Sequence, residues 1–325
     1  MIKGEIEVKK LNIISLCDGI SIGRLALENL GYEVDYYRAE IKDIANEVAM
    51  KNFPNSYNLG DVTKVSFKDG VLHSELGEYN IGHVDMVIFG SPCQNFSRGM
   101  HSEDRIGLKG SKSSLFYECH RILKEVNPTF YFMENVIMKK EDQDEISNIM
   151  GVQPVRINAN LFAPSLRDRL YWCNWNVNVP TERASNIVLN DILIDGYSNR
   201  DFARALLVSD SRPLTTPCKM VHRFLSSGFT TLIFKNEEHY KKCVAEYMRL
   251  SGGARKITAK DLDNYTGNVF DGVRYLNQEE LEACQGFPKG YTSYLTRNQS
   301  ADVCGDSWCL PVIEYIFGQL PIEDI

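Results

Sequence analysis

Apolar positions along the first 136 residues follow two patterns that take turns. Continuous apolar runs of strand length occur in LNIISLCDG (11–19), EVDYYRAE (33–40), HVDMVIFGSPC (83–93) and TFYFMENV (129–136). Each ends at Gly, Asp, Glu, Pro or Asn, the punctuation expected where a buried strand stops. Between them, apolar residues recur at helical spacing. SIGRLALENLGY places Ile22, Leu25, Ala26 and Leu30 on one face with Gly31 as its stop; IKDIANEVAMKNF follows the second run; SSLFYECHRILKEVNP is halted by Pro128. A shorter strand leads into NLGDVTKV. Strands alternating with helices predict an α/β fold: a mostly parallel sheet with helices on both faces. After RLYWCNWNV and Pro180 the alternation fades. Residues 181–270 carry short apolar runs broken by DSRPLTTPC, LSSG and LSGGARK, which predicts a small separate domain, irregular or β-containing. Regularity returns with NQEELEACQGF, a short helix with Gly286 near its end, and with WCLPVIEYIFGQL, where Pro311 suits the first turn of a closing helix. The chain is thus expected to divide into 1–180, 181–270 and a segment 271–325 that returns to the first part.

In open parallel sheets, ligands bind beyond the carboxyl ends of the strands. Four polar residues fall at those ends: Asp18, Glu40, Cys93 and Glu134. That placement turns a fold prediction into a site prediction.

Bulk properties narrow the setting. The 325 residues are 43% hydrophobic and 24% charged, an ordinary globular balance, and no run approaches the roughly 18 apolar residues of a membrane span. The start MIKGEIEVKK lacks the apolar core of a signal peptide, and nine cysteines without a repeated spacing argue against a disulfide framework; a cytoplasmic location is expected. No Cys-x-x-Cys pair or zinc-type histidine spacing occurs, so no metal is expected. The net charge of −7 argues against nucleic acid as a partner, yet residues 181–270 hold 13 Lys and Arg against 10 Asp and Glu, while the remainder holds 23 against 33. A basic segment within an acidic chain is compatible with a phosphate-facing surface and equally with an ordinary solvated face.

Gly19 and Gly23 flank the turn after the first strand, and Glu40 ends the second, the position of an acidic residue that binds ribose hydroxyls. The glycines do not form G-x-G-x-x-G, and no Lys-Ser/Thr phosphate loop is present. An adenosine ligand without a pyrophosphate therefore fits better than NAD or ATP. Cys93 follows Ser91-Pro92 at a strand end, where a helix or amide-rich turn lowers a thiol pKa. A cysteine hydrolase would need a histidine base and an orienting group, and neither His101 nor His120 lies at a strand end. Glu134 is the better partner: a hydrogen-bonding carboxyl beside a nucleophilic thiol suits attack on a heteroaromatic ring whose nitrogen must gain a proton.

These residues resemble the motifs of the cytosine-5 DNA methyltransferases, in that family's order: CDGISIG (cofactor loop), GSPCQNFS (catalytic Pro-Cys), MENV (Glu-Asn-Val), RDRLYW (Arg-x-Arg), VRYLNQEELEACQGFP (the helix after the recognition domain) and GDSWCLPV (last cofactor motif). The compact bacterial and bacteriophage members have a recognition domain similar in size to 181–270. The resemblance implies a Rossmann-like methyltransferase fold, with 1–180 binding cofactor and catalysing, and 181–270 recognising the target. It implies S-adenosylmethionine as cofactor, held by Asp18, Gly19, Ile20, Gly23, Glu40, Ile41, Asp61, Val62, Pro92, Asp306, Ser307 and Trp308. It implies duplex DNA as partner of a monomer, no membrane association, and methyl transfer through a covalent Cys93 adduct with Glu134, Arg167 and Arg169 as further catalytic residues. The target cytosine would be flipped out. Residues 94–114, polar and partly basic, read as a loop that closes over it, with Gln94, Ser97 and Arg98 touching DNA; Lys219, Arg223, Arg255 and Lys256 are the candidate groove or phosphate contacts of the recognition domain. Three positions depart from the family pattern. Cys17 replaces phenylalanine, Ser165 a glutamine, and Asp306 the asparagine next to the cofactor's methionine end, where its charge would disfavour a carboxylate unless it faces solvent. The alternatives are an RNA (tRNA) cytosine-5 methyltransferase on the same fold and a catalytically silent DNA-binding homologue, against which the intact Cys93, Glu134 and Arg167 argue.

Overall fold

The computed structural model describes residues 10–91, 115–206, 208–252, 257, 262–263 and 265–321. Pro92, Cys93, Gln94, Ser97, Arg98, Arg255 and Lys256 lie outside the described residues.

The chain forms two compact units, residues 1–158, 168–182 and 307–325 in the first and 159–167 and 183–306 in the second. The expected returning segment 271–325 is thus divided at Asp306, with 271–306 clustering in the second unit.

In the first unit the apolar runs become strands β1 (Lys10–Leu16), β2 (Glu33–Ala39), β3 (Tyr57–Gly60), β7 (Met86–Phe89) and β8 (Phe130–Val136). Between β3 and β7 lies a small antiparallel sheet of β4 (Ser66–Lys68), β5 (Val71–Ser74) and β6 (Gly77–Asn80); β9 (Val155–Asn158) and β10 (Asp168–Cys173) complete the main sheet. Its order is β3-β2-β1-β7-β8-β10-β9. The first five strands run parallel, and β10 is antiparallel to both neighbours. Helices α1 (Ile22–Asn29), α2 (Asp43–Asn52), α3 (Leu115–Val126) and α4 (Lys140–Met150) connect the strands.

Period-two alternation distributes the strand side chains between two layers. Ile14, Leu16, Val87, Phe89 and Met133 join Phe116, Cys119 and Ile122 of α3 and Ile146 and Met150 of α4 in one core cluster. On the other face, the Phe132 ring stands edge-on to Phe317, with centroids 5.1 Å apart. Helix α1 packs there at Gly23, where an added Cβ would lie 2.4 Å from Ile88 Cδ1 and 3.1 Å from Tyr36 Oη and from Trp308. Close packing of helix on sheet therefore demands this glycine.

The second unit contains α5 (Val208–Ser211), α6 (Pro217–Ser227), α7 (Glu237–Leu250), α8 (Gln278–Cys284) and α9 (Arg297–Asp306); α10 (Leu310–Phe317) belongs to the first. The 181–270 stretch is irregular as expected, with isolated bridges Tyr197↔Phe234 and Ile233↔Arg274, but its packed centre is helical. Met220, Val221 and Phe224 of α6 and Cys243 and Tyr247 of α7 bury together with Leu232, Phe234 and Phe270. Helix α8 opens on a capping box in which Asn277 Oδ1 accepts from the Glu280 amide and Glu280 Oε2 accepts from the Asn277 amide. The fully buried Glu280 also takes two guanidinium N–H groups of Arg274 at 2.7 and 2.8 Å, so this buried carboxylate is paired.

Candidate active site

The loop after β1 is held by Asp18. Its carboxylate accepts from Ser15 Oγ (2.6 Å), Ser21 Oγ (2.5 Å) and Tyr36 Oη (2.7 Å), and its amide donates to Ala39 O. Three loop residues adopt positive φ: Cys17 (55°), Gly19 (63°) and Ser21 (62°). Two of these are not glycine, and such backbone costs on the order of 1 kcal/mol or more each, offset here by the bonds to Asp18. The Asp18 side chain thus builds the loop. Burial, and secondarily the Asp18 charge, pushes the Tyr36 hydroxyl well above its ordinary pKa, so it remains a donor.

Glu40 lies just beyond β2 with both oxygens fixed by backbone N–H groups: Gly19 to Oε2 at 2.8 Å, and Ile41 and Lys42 to Oε1 at 2.9 and 2.8 Å. A carboxylate has about four lone-pair sites, so acceptor capacity remains for a hydroxyl donor. Burial raises the Glu40 pKa, with the Lys42 and Gly19 amides opposing it. Asn46 links Glu40 to a residue that sequence patterning missed: its Nδ2 donates to Glu40 O, and its Oδ1 accepts from Arg38 Nη1. Arg38, fully buried in what reads as an apolar strand, leaves Nε and Nη2 without a hydrogen-bond partner among the described residues, and burial lowers its pKa.

Ile41 is 69% exposed beside Glu40, an apolar face available to a planar ring. After β3, Asp61 Oδ1 accepts from the Thr63 amide, while the Asp61 amide donates to Glu75 Oε1 at 2.8 Å. Glu75 sits at the β5–β6 turn, and Gly60 (φ +73°) leaves it room, since a Cβ there would lie 2.3 Å from Oε1. The sequence carries no signal for Glu75 beyond a glycine before Asp61. The side chains of Ile20 and Val62, at 1% and 6% exposure, are in the core, which leaves their backbone for any ligand contact.

The ends of β7 and β8 lie side by side, with Gly90-Ser91 following β7 and Glu134-Asn135 within the end of β8. Asn135 Nδ2 donates to Ser91 O (3.3 Å) and Oγ (3.1 Å), fixing the point from which Pro92-Cys93 departs. Glu134 Oε1 is 2.9 Å from Arg169 Nε, an ion pair without the alignment of a hydrogen bond. Its Oε2 accepts from Trp308 Nε1 at 3.2 Å. Glu134 is 8% exposed, so this charge is buried with a partner on each oxygen. A side chain at Gly90 would collide with this arrangement, 2.9 Å from Trp308 Nε1 and 3.4 Å from Glu134 Oε2. Ser307, before Trp308, is buried as well.

Other expected site residues fall in the second unit. Arg167 is buried and donates through Nη1 to Gly305 O at 3.0 Å. Asp306 is exposed at the last position of α9. Lys219 is ion-paired with Asp263, and Arg223 is half-buried on α6. Of the departures, Cys17 packs against the α3 core cluster, where a hydrogen bond with it and burial push the Cys119 thiol well up; Ser165 is buried with no partner for its Oγ among the described residues. Among the described residues, no group of three or more His, Cys, Asp or Glu could hold a metal ion, and no helix is long and apolar enough to cross a membrane.

A parallel sheet with carboxylates at successive strand ends, and a buried Glu beside a Pro-Cys departure point, defines a class that comparison makes explicit. Residues 11–151 match the C-5 cytosine-specific DNA methylase family. The chain is 26% identical over 330 residues to the type II methyltransferase M.HhaI of Haemophilus parahaemolyticus, covering 94% of this chain and 93% of that one. It is 31% identical over 176 residues to the orphan methyltransferase M.SPRI of Bacillus phage SPR, covering 50% of this chain and 37% of that protein's length. The solved Entamoeba histolytica methyltransferase EhMeth shares the fold, with a TM-score of 0.67 at 18% identity over 96% of this chain and 99% of that one. The chain is thus similar to the C-5 cytosine-specific DNA methylases over residues 11–151, and to type II methyltransferases over most of its length.

Proposed function

We propose that this protein is a DNA cytosine-5 methyltransferase that uses S-adenosylmethionine and acts in the cytoplasm on duplex DNA. One observation carries the reading: the buried Glu134 carboxylate is held at both oxygens beside Gly90-Ser91, where the Pro92-Cys93 dipeptide begins. The cofactor reading is supported by the donor set at the strand ends. Glu40 would accept ribose hydroxyls, exposed Ile41 would cover an adenine face, and Asp61 would accept from the adenine amino group. When bound there, S-adenosylmethionine supplies an electrophilic methyl group.

Carbon 5 of cytosine is a poor nucleophile, and the protein's task is to make it a better one. The Cys93 thiolate adds to carbon 6; the π pair of the 5,6 bond then gives carbon 5 enamine character, and charge develops at the ring nitrogen. Glu134 hydrogen-bonds that nitrogen and the exocyclic amine, stabilising charge that appears only after attack. Arg169 orients Glu134. Once carbon 5 carries the methyl group, an ordered water removes its proton, the 5,6 double bond re-forms and the thiolate is expelled. Flipping the base costs roughly a few kcal/mol.

The test is transfer of labelled methyl groups to matched duplex DNA and tRNA, followed by base-resolution mapping of methylcytosine. Methylcytosine at a defined sequence in DNA is expected. Modification of tRNA alone would replace the substrate in this reading, and transfer to neither would remove the activity from it.

A further inference from the structure

We infer that Trp308 is a positioning residue for Glu134, acting on the carboxylate through its indole N–H; the inference rests on the catalytic role proposed for Glu134. The sequence reading placed Trp308 among the cofactor contacts only. In the structure its Nε1 donates to Glu134 Oε2 at 3.2 Å, and the side chain is buried. Phe132 and Glu134 are two residues apart on β8 and so face the same side of the sheet. The indole lies across both. Its ring stands edge-to-face on Phe132, with centroids 5.1 Å apart at 74°, while its N–H end meets the carboxylate.

The slot is sized for this ring from both directions. An added Cβ at Gly90 would lie 2.9 Å from Nε1, and one at Gly23 would lie 3.1 Å from Cζ3. The indole therefore cannot shift toward β7 or α1 without a clash, and its N–H direction is set by packing. Tryptophan donates and never accepts a proton. It can hold Oε2 in one orientation without competing for the proton that Glu134 must share with the base. With Arg169 on Oε1, both oxygens are registered before substrate arrives, the preorganisation that makes a buried acid effective in the transition state.

Replacing Trp308 by phenylalanine keeps an aromatic body on Phe132 and removes the N–H. The expected result is a kcat reduced roughly 10- to 100-fold, the range for a hydrogen bond to a charged group. The S-adenosylhomocysteine Kd from calorimetry should stay within about twofold, and the melting temperature near wild type. Site-specific 3-benzothienylalanine at position 308, which keeps the ring outline with sulfur in place of N–H, gives the same reading if Trp308→Phe does not fold. A wild-type kcat in either variant overturns the inference, as does a Kd that weakens as much as kcat falls. Glu134→Gln separates the two levels: an active Glu134→Gln sinks the catalytic reading, whereas an inactive one beside a fully active Trp308→Phe sinks the positioning role alone.

Discussion

Glu40, in the proposed cofactor site, is expected to trade stability against binding. Three backbone N–H groups favour its charged form, yet burial outweighs them and raises its pKa above the ordinary 4.5. A carboxyl whose pKa is higher folded than unfolded stabilises the fold fully below the unfolded value, and that contribution is lost as pH rises through the folded value. The ligand-free protein is therefore expected to lose some stability as pH climbs from about the ordinary carboxylate value through the raised one, the window in which the folded chain binds the extra proton. In Glu40→Gln that slope should vanish from a pH series of melting curves, while affinity for S-adenosylhomocysteine falls roughly 10- to 100-fold for want of a charged acceptor. Unchanged binding in the variant would remove Glu40 from the cofactor site. Asp18 makes the opposite point. Its place at a strand end was legible in sequence, but its use was not: the carboxylate is bound by Ser15, Ser21 and Tyr36 and shapes the loop.

Single elements matter most where they bring distant residues to a strand end. The β4–β6 sheet does so through Glu75, whose carboxylate takes the Asp61 amide. Glu75 is exposed, so the bond contributes little to global stability, but it fixes the turn that presents Asp61. Glu75→Ala is predicted to weaken S-adenosylhomocysteine binding about 3- to 10-fold, for a net hydrogen bond of about 1 kcal/mol, with little change in melting temperature. Equal Kd values would make the hairpin irrelevant to the site. The main strands were readable because buried parallel strands are apolar on both faces, so β1, β2, β7 and β8 stand out as continuous runs. Helices α6 and α7 were not, because each buries one stripe while its remaining positions are polar and interrupted by Ser, His and Lys. The Trp308–Glu134 bond joins residues 174 positions apart, and no local pattern encodes such a pairing. Motif order located the two segments that supply it; only packing shows that they touch.

At the scale of the whole chain, the proposed binding of DNA by an acidic protein requires a locally basic surface. Counterion release makes such binding fall linearly with log salt concentration. Arg223→Ala should reduce that slope by about 1 if the side chain meets a phosphate. Lys219→Ala should reduce it less, because Asp263 already neutralises this amine. Identical slopes in wild type and Arg223→Ala would move the DNA-facing surface elsewhere. The central claim, a Cys93 adduct assisted by Glu134 on a flipped cytosine, is tested most directly by incubating the protein with duplex DNA in which 5-fluorocytosine replaces the mapped target base, together with S-adenosylmethionine. Fluorine at carbon 5 blocks the final proton loss, so the account predicts a denaturation-resistant protein–DNA complex in the wild type. It predicts none in Cys93→Ser and slower accumulation, by roughly 100-fold or more, in Glu134→Gln. A wild-type protein that methylates the unsubstituted DNA yet forms no such complex, or a Cys93→Ser protein that forms it, would contradict the account.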